Sequence, residues 1–238
     1  MKIVPAIDLY DGKVVRLFKG RQEDMTVYSD DPVKTALDWE KYGAKYIHIV
    51  DLSAAFGKSD NRQIVKRIVE ETGLKVEFGG GIRTISEMEE LLGYGIDRLA
   101  LGTMITDETF LDAAISRVGA EKIVISLDVF NSHLAVDGWR KNTATGSLDI
   151  LKKLEGKGIK WVVYTDISRD GTLAGPNIKE AQTLMAQTDM NFVLSGGVSS
   201  TEDLYNIKEA MPALWGVIVG KAFYENRINI ENINIDNF

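Results

Sequence analysis

Eight short apolar runs recur along the chain with helical segments between them, and this alternation constrains the fold more than any other feature. The runs are Ile3–Ile7, Tyr46–Val50, Lys75–Phe78, Arg98–Leu101, Ile123–Leu127, Trp161–Tyr164, Phe192–Leu194 and Trp215–Val219. Each has the length of a strand and is mainly apolar rather than alternating. That is how a strand covered on both faces reads. The intervening segments Pro32–Tyr42, Asn61–Glu71, Ser86–Gly93, Thr106–Val118, Ser147–Leu154, Ile178–Gln187 and Thr201–Ala210 carry helical spacing, and a last short one follows Gly220-Lys221. Asp30 and Asp31 before Pro32, and Asp60 before Asn61, supply start signals.

Eight strands alternating with eight helices predict an α/β fold, a (β/α)8 or TIM barrel. An open doubly wound sheet is the structural alternative. It would carry Gly-x-Gly-x-x-Gly after the first strand, where this chain reads Ile7-Asp8-Leu9. With 4 prolines, no Ser/Gly tract and no charge block, nothing divides residues 1–238, so a single domain is expected.

The chain is also internally repetitive. Ala6-Ile7-Asp8-Leu9 resembles Ser126-Leu127-Asp128-Val129, and His48–Ser53 resembles Val163–Ser168. Phe78-Gly79-Gly80-Gly81-Ile82 resembles Leu194-Ser195-Gly196-Gly197-Val198, and Gly102 answers to Gly220. The offsets are 120, 115, 116 and 118 residues, all near half of the chain. Four matches in one order predict two (β/α)4 half-barrels, approximately 1–120 and 121–238. Whatever Asp8 does at the end of the first strand, Asp128 mirrors across the barrel.

Those two carboxylates are the candidate catalytic groups. In a barrel of this kind the C-terminal strand ends carry the chemistry. A carboxylate beside an apolar core has its pKa raised, and a pair facing one substrate can divide into acid and base. A lone strand-end Asp is more often a loop cap or an ion-pair partner; the repeat tips the balance towards catalysis. A metal site finds no support, because only His48 and His133 offer imidazoles and no two-histidine spacing occurs. Cysteine is absent, which excludes a thiolate zinc site, a disulfide scaffold and a cysteine nucleophile.

Two glycine clusters follow strands in symmetric places. Gly79-Gly80-Gly81 with Gly102-Thr103 forms one, and Gly196-Gly197 with Gly220-Lys221 forms the other. Glycine lets backbone N–H groups approach an anion closely, and the next helix adds its positive end. Gly80, Gly81, Gly102, Thr103, Gly196, Gly197, Gly220 and Lys221 are therefore expected to bind two phosphates at opposite rims of one mouth. A bulkier residue at Gly80 or Gly197 is expected to weaken substrate binding more than folding. Local cradles also reconcile an anionic substrate with 28 basic against 35 acidic residues, a net charge of −7. The same balance argues against a nucleic-acid partner.

Other polar residues admit two readings each. Asp11-Gly12 reads as a tight turn before an extended segment, whose Arg16, Lys19 and Arg21 either guard the mouth or form a solvated face. Trp139 lies in the long stretch 131–146 and either stacks on a heterocycle or plugs the loop. His48 is a core residue or a ligand contact, and Thr165 and Asp170 either fix substrate hydroxyls or shape their turns. The N-terminal MKIVPAIDLYDGK lacks a signal-peptide pattern, and no run of 18 apolar residues occurs. A soluble, cytoplasmic monomer with no membrane partner is the expectation.

Ile3-Val4-Pro5-Ala6-Ile7-Asp8-Leu9, Gly12–Leu17, Val50-Asp51-Leu52, Gly79–Arg83, Ser168–Thr172 and Ser195–Val198 together resemble a histidine-biosynthesis barrel. The set is similar to the phosphoribosylformimino-aminoimidazole carboxamide ribotide isomerases over essentially the whole chain. The related cyclase subunits carry Cys where this chain has Ala6, and Lys-Gly where it has Arg16-Leu17. The resemblance implies an Amadori rearrangement of a ribotide with a phosphate at each end. Asp128 would be the general acid that opens the furanose, and Asp8 the base at C2′. His48, Arg83, Trp139, Thr165 and Asp170 would position substrate, and no metal or organic cofactor is implied.

Overall fold

The eight apolar runs form eight parallel strands: β1 (Lys2–Tyr10), β2 (Tyr46–Asp51), β3 (Lys75–Gly79), β4 (Arg98–Leu101), β5 (Ile123–Phe130), β6 (Trp161–Asp166), β7 (Asn191–Ser195) and β8 (Gly216–Val219). Each pairs with the next in sequence order, and β8 returns to β1 with Ile3 beside Val217, so the sheet closes. The (β/α)8 barrel expected from the alternation is the architecture of this computed structural model. It describes residues 1–18 and 20–238. Lys19, one of the basic residues considered for the mouth, lies outside the described residues.

Eight helices cover the outside: α1 (Pro32–Lys41), α2 (Arg62–Glu71), α3 (Ile85–Gly93), α4 (Glu108–Val118), α5 (Ser147–Gly156), α6 (Ile178–Met185), α7 (Thr201–Ala210) and α8 (Lys221–Tyr224). A one-turn helix, Leu52–Ala55, also follows β2. The segment expected to be one helix from Thr106 is interrupted. A 3-10 turn spans Thr103–Thr106, and Asp107 then adopts an extended conformation and caps α4 by accepting the Phe110 N–H at 3.0 Å. Among the described residues no helix is long and apolar enough to cross a membrane.

Two antiparallel hairpins extend the barrel's C-terminal face. β1 runs on into a turn at Asp11-Gly12 and pairs back along Lys13–Phe18, which in turn pairs with Arg21–Ser29. β5 does the same through Asn131-Ser132 into His133–Val136 and Lys141–Gly146. The stretch read as a long loop is thus largely a hairpin. All four turn residues have positive φ, as a two-residue turn matching the strand twist requires. The two turns lie 120 residues apart, like Asp8 and Asp128.

A second pair of equivalent features lies beside the barrel mouth. Buried Asp51 accepts the N–H of Ala54 at 3.0 Å, the N–H of Asn61 at 2.6 Å and the Asn61 side-chain amide at 2.8 Å. In the other half Asp166 accepts the N–H and hydroxyl of Ser168 at 2.9 and 2.6 Å, and the Asn177 amide at 2.7 Å. Asn61 and Asn177 each stand immediately before a helix. Each Asp therefore ties the end of a strand to the start of its following helix. Asp51→Ala leaves three buried donors unpaired and is expected to cost about 3 kcal/mol in a denaturant titration.

Inside the barrel Val4, Ala6, Ala100, Val124, Val163, Val193 and Ile218 pack together. Beneath them Tyr46, Trp161 and Trp215 close the N-terminal end. Trp215 meets both partners edge-on, at 5.0 and 4.9 Å between ring centroids. The larger core lies between strands and helices, where Ile7, Leu9, Ile49 and Leu127 are fully buried.

Candidate active site

The period of two along a strand decides which side chains reach the mouth. On β1, Ile7 and Leu9 point out to the helices, so Val4, Ala6 and Asp8 point in. On β5, Leu127 and Val129 point out, and Ser126 and Asp128 point in. Asp8 and Asp128 accordingly line one open cavity of about 290 Å³ at the C-terminal face. His48, Arg83, Trp139, Thr165 and Asp170 line the same cavity, as do Gly80, Gly81, Gly102 and Thr103.

Asp8 has a cationic partner. Arg16, on the first hairpin, places Nη1 2.8 Å from Asp8 Oδ2 and Nη2 4.0 Å from Asp170 Oδ1. All three side chains are 12–15% exposed. Burial pushes the Asp8 carboxyl above its ordinary value, Arg16 opposes that shift, and Asp170 adds to it. Asp170 is likewise raised by burial and restrained by Arg16, by the Gly171 N–H and by Lys221. The three form a buried acid–cation–acid cluster on one wall of the mouth.

Among the described residues Asp128 has no such ion pair. Burial raises its carboxyl, opposed mainly by hydrogen bonding to the Trp139 indole and the Thr165 hydroxyl, both neutral donors. Thr165 is Asp128's register neighbour on β6. Trp139 reaches it from the second hairpin and also packs on the first, where a Cβ on Gly20 would come within 2.6 Å of its ring. The plugging and site readings of Trp139 thus describe one position. His48 presents Nδ1 to Glu77 at 2.8 Å while its ring borders the cavity.

The two glycine clusters are less alike. Gly80 and Gly81 border the main cavity, and Arg83 braces this rim by donating to the carbonyls of Ala54 and Ala55, each at 3.2 Å. Gly196, Gly197, Gly220 and Lys221 line a smaller recess that shares Arg16 and Asp170 with the main cavity. There the Arg16 guanidinium lies so close that a Cβ on Gly220 would overlap it.

The structure reverses the expectation for Gly80 and Gly197. Both have positive φ, and a Cβ at either would overlap backbone, of Asp51 and Gly175 respectively. Their substitution strains the fold before it touches a ligand. Gly102 is the cleaner probe, because a Cβ there meets only Ser126 Cβ at 3.8 Å and φ is −97°. Gly102→Ala is expected to raise the KM for a phosphorylated substrate and to lower the melting temperature less than Gly80→Ala, whose Cβ overlaps backbone.

Sequence reading left four residues without a role. Arg16 stood among unassigned mouth residues, yet it contacts two of the three mouth carboxylates. Its signal is register: Asp8 pairs with Val15 across the hairpin, which brings Arg16 alongside. Glu77 was unremarked inside an apolar run, although a charge in the middle of a barrel strand must meet a partner. Asn61 and Asn177 follow their aspartates at different spacings, 10 and 11 residues, so no exact repeat marks them. Of the other basic candidates, Lys13 pairs with Asp30 and Arg21 with Asp24, both on the solvated face. His133 is exposed and turns its Nδ1 to the Asn131 carbonyl.

Comparison with known proteins agrees with this geometry. Residues 2–229 match the model of the family described as Histidine biosynthesis protein. A 1-(5-phosphoribosyl)-5-((5-phosphoribosylamino)methylideneamino) imidazole-4-carboxamide isomerase of Lachnoclostridium phytofermentans is 42% identical over 234 residues, covering 98% of this chain and 97% of the relative. The isomerase of the same name from Oceanobacillus iheyensis is 40% identical over 235 residues, with 98% and 97% covered. That of Cenarchaeum symbiosum is 40% identical over 232 residues, with 97% and 98% covered. The chain belongs to the histidine biosynthesis protein family and, within it, to the isomerases these relatives represent.

Proposed function

We propose that this protein converts the bisphosphorylated aminoaldose ribotide named in its relatives into the corresponding aminoketose by an Amadori rearrangement. The observation that carries the assignment of roles is the asymmetry of the two strand-end carboxylates. Burial raises both carboxyls; a guanidinium 2.8 Å away opposes the shift at Asp8, whereas at Asp128 the main opposition among the described residues comes from two neutral donors, the Trp139 indole and the Thr165 hydroxyl. Environments that push two carboxyls apart make one a base and the other an acid.

Asp128 donates its proton to the furanose ring oxygen. The C1′–O bond breaks as the exocyclic nitrogen's lone pair forms the C=N bond of the Schiff base. The Asp8 carboxylate then removes the C2′ proton, and the released pair forms the enolamine. Tautomerisation returns a proton to C1′ and leaves a ketone at C2′. Thr165 and Trp139 hold Asp128, Arg16 holds Asp8 and Asp170, and the two glycine rims take the terminal phosphates. All these groups come from one chain, which supports action as a monomer. A single sedimenting species of the chain's mass is the expected observation.

Incubating the purified protein with the aminoaldose and following the C2′ proton in heavy water tests the proposal. Conversion to ketose with loss of the C2′ proton and uptake of deuterium at C1′ is expected, along a bell-shaped pH profile. Its acid limb reports protonation of the base and its alkaline limb loss of the acid's proton. Tight binding of the ribotide without conversion would make the barrel a sugar-phosphate sensor.

A further inference from the structure

His48 connects the cavity to the floor of the barrel. On β2 it sits in register with Ala6 on one side and Glu77 on the other, and it is 8% exposed. Its Nδ1 lies 2.8 Å from Glu77 Oε1. Glu77 is buried too, and its Oε2 lies 3.4 Å from Nε of Arg98, the register neighbour on β4. The buried Arg98 guanidinium stacks 3.8 Å from the Trp161 ring centroid and 5.3 Å from that of Trp215. A continuous set of contacts thus runs from the aromatic floor through Arg98 and Glu77 to a ring that borders the cavity.

Fold stability does not account for this line of polar groups. The rest of the interior layer is apolar, and buried ion pairs contribute little net stability relative to well-packed hydrophobic side chains. What the line does determine is the state of His48. A carboxylate only accepts hydrogen bonds, so the imidazole nitrogen facing it carries the hydrogen. Among the described residues nothing hydrogen-bonds Nε2.

We propose that Glu77, anchored by Arg98, is a positioning residue for the isomerisation. It fixes His48 as the Nδ1–H tautomer, so that Nε2 offers a lone pair to a hydroxyl of the sugar phosphate. The identity of that hydroxyl rests on the function proposed above; the tautomer does not. Without Glu77 the ring reverts to the Nε2–H form, and an acceptor in the mouth becomes a donor.

The chain has 2 histidines, so nitrogen-15 labelling of histidine yields two rings, and His133→Asn assigns them. Spectra on the alkaline side of the imidazole titration are expected to show His48 protonated at Nδ1 with a bare Nε2. Glu77→Gln keeps an acceptor at the same place and is expected to retain both the tautomer and most of the activity. The double variant Glu77→Leu with Arg98→Met leaves neither charge buried alone. It is expected to fold, to switch His48 to Nε2–H and to lose about tenfold in kcat/KM.

An Nε2–H ring in the unsubstituted protein would overturn the proposal. So would a double variant that keeps the Nδ1–H form, or one that switches tautomer with kcat/KM unchanged. Glu77→Gln losing activity while keeping the tautomer would overturn it as well. Absence of turnover in the unsubstituted protein would sink the isomerase reading instead, while the spectrum still decides the tautomer.

Discussion

Asp8→Asn and Asp128→Asn are each expected to lower kcat by about 10²- to 10⁴-fold while leaving the ribotide bound. Asn keeps the size and the hydrogen-bond acceptor of Asp but can neither remove nor deliver the proton. Single-turnover kinetics with a binding titration check this, and a rate near that of the unsubstituted protein in either variant would dismiss the carboxylate pair. Asp128→Asn, which breaks no ion pair among the described residues, carries an opposite effect on stability. Asp8, Asp128 and Asp170 all hold their protons more tightly folded than at the ordinary value of 3.8. Between 3.8 and those raised values the folded chain binds more protons than the unfolded chain, so stability falls as pH rises through the window. At neutral pH a carboxyl that the fold holds above its ordinary value costs stability, and Asn, which does not titrate, removes that cost. Asp128→Asn is therefore expected to gain about 1 kcal/mol, or roughly 2–4 °C in Tm, where it loses activity.

Arg16→Met is expected to do damage of another kind. It removes the guanidinium shared by Asp8 and Asp170 and leaves two acids in a buried wall with no counter-charge. Breaking a buried pair from one side costs about 3–5 kcal/mol. The remaining carboxylates respond by taking up protons, because the influence lowering both pKa values is gone. The loss of stability should therefore be smallest in acid and grow as pH rises. Activity should follow the base: with Asp8 harder to ionise, the acid limb of the pH–rate profile moves to higher pH. A denaturant midpoint independent of pH, or an acid limb left in place, would show that Arg16 does not set the state of Asp8.

Much of this was readable before any coordinates. Eight buried strands announce themselves as mainly apolar runs, and a residue placed just after one, such as Asp8 or Asp128, inherits a position at the mouth. The repeat was legible because glycines and aspartates that meet backbone tolerate few replacements, so both halves keep them. What escaped was whatever depends on register between segments distant in sequence. Nothing local marks Arg16 as the partner of Asp8 until the hairpin folds it back, and nothing marks Glu77 until β2 and β4 flank it. The second hairpin was read as a loop because Asn131-Ser132 is a weaker turn signal than Asp11-Gly12. The glycines of the rims read either as anion cradles or as turn residues, and at Gly80 and Gly197 the neighbouring main chain by itself excludes a side chain.

The wedged rings of Tyr46, Trp161 and Trp215 make the barrel a cup rather than a pipe. Aromatic rings thus back the inner layer at one end, while the cavity that Asp8 and Asp128 line opens at the other.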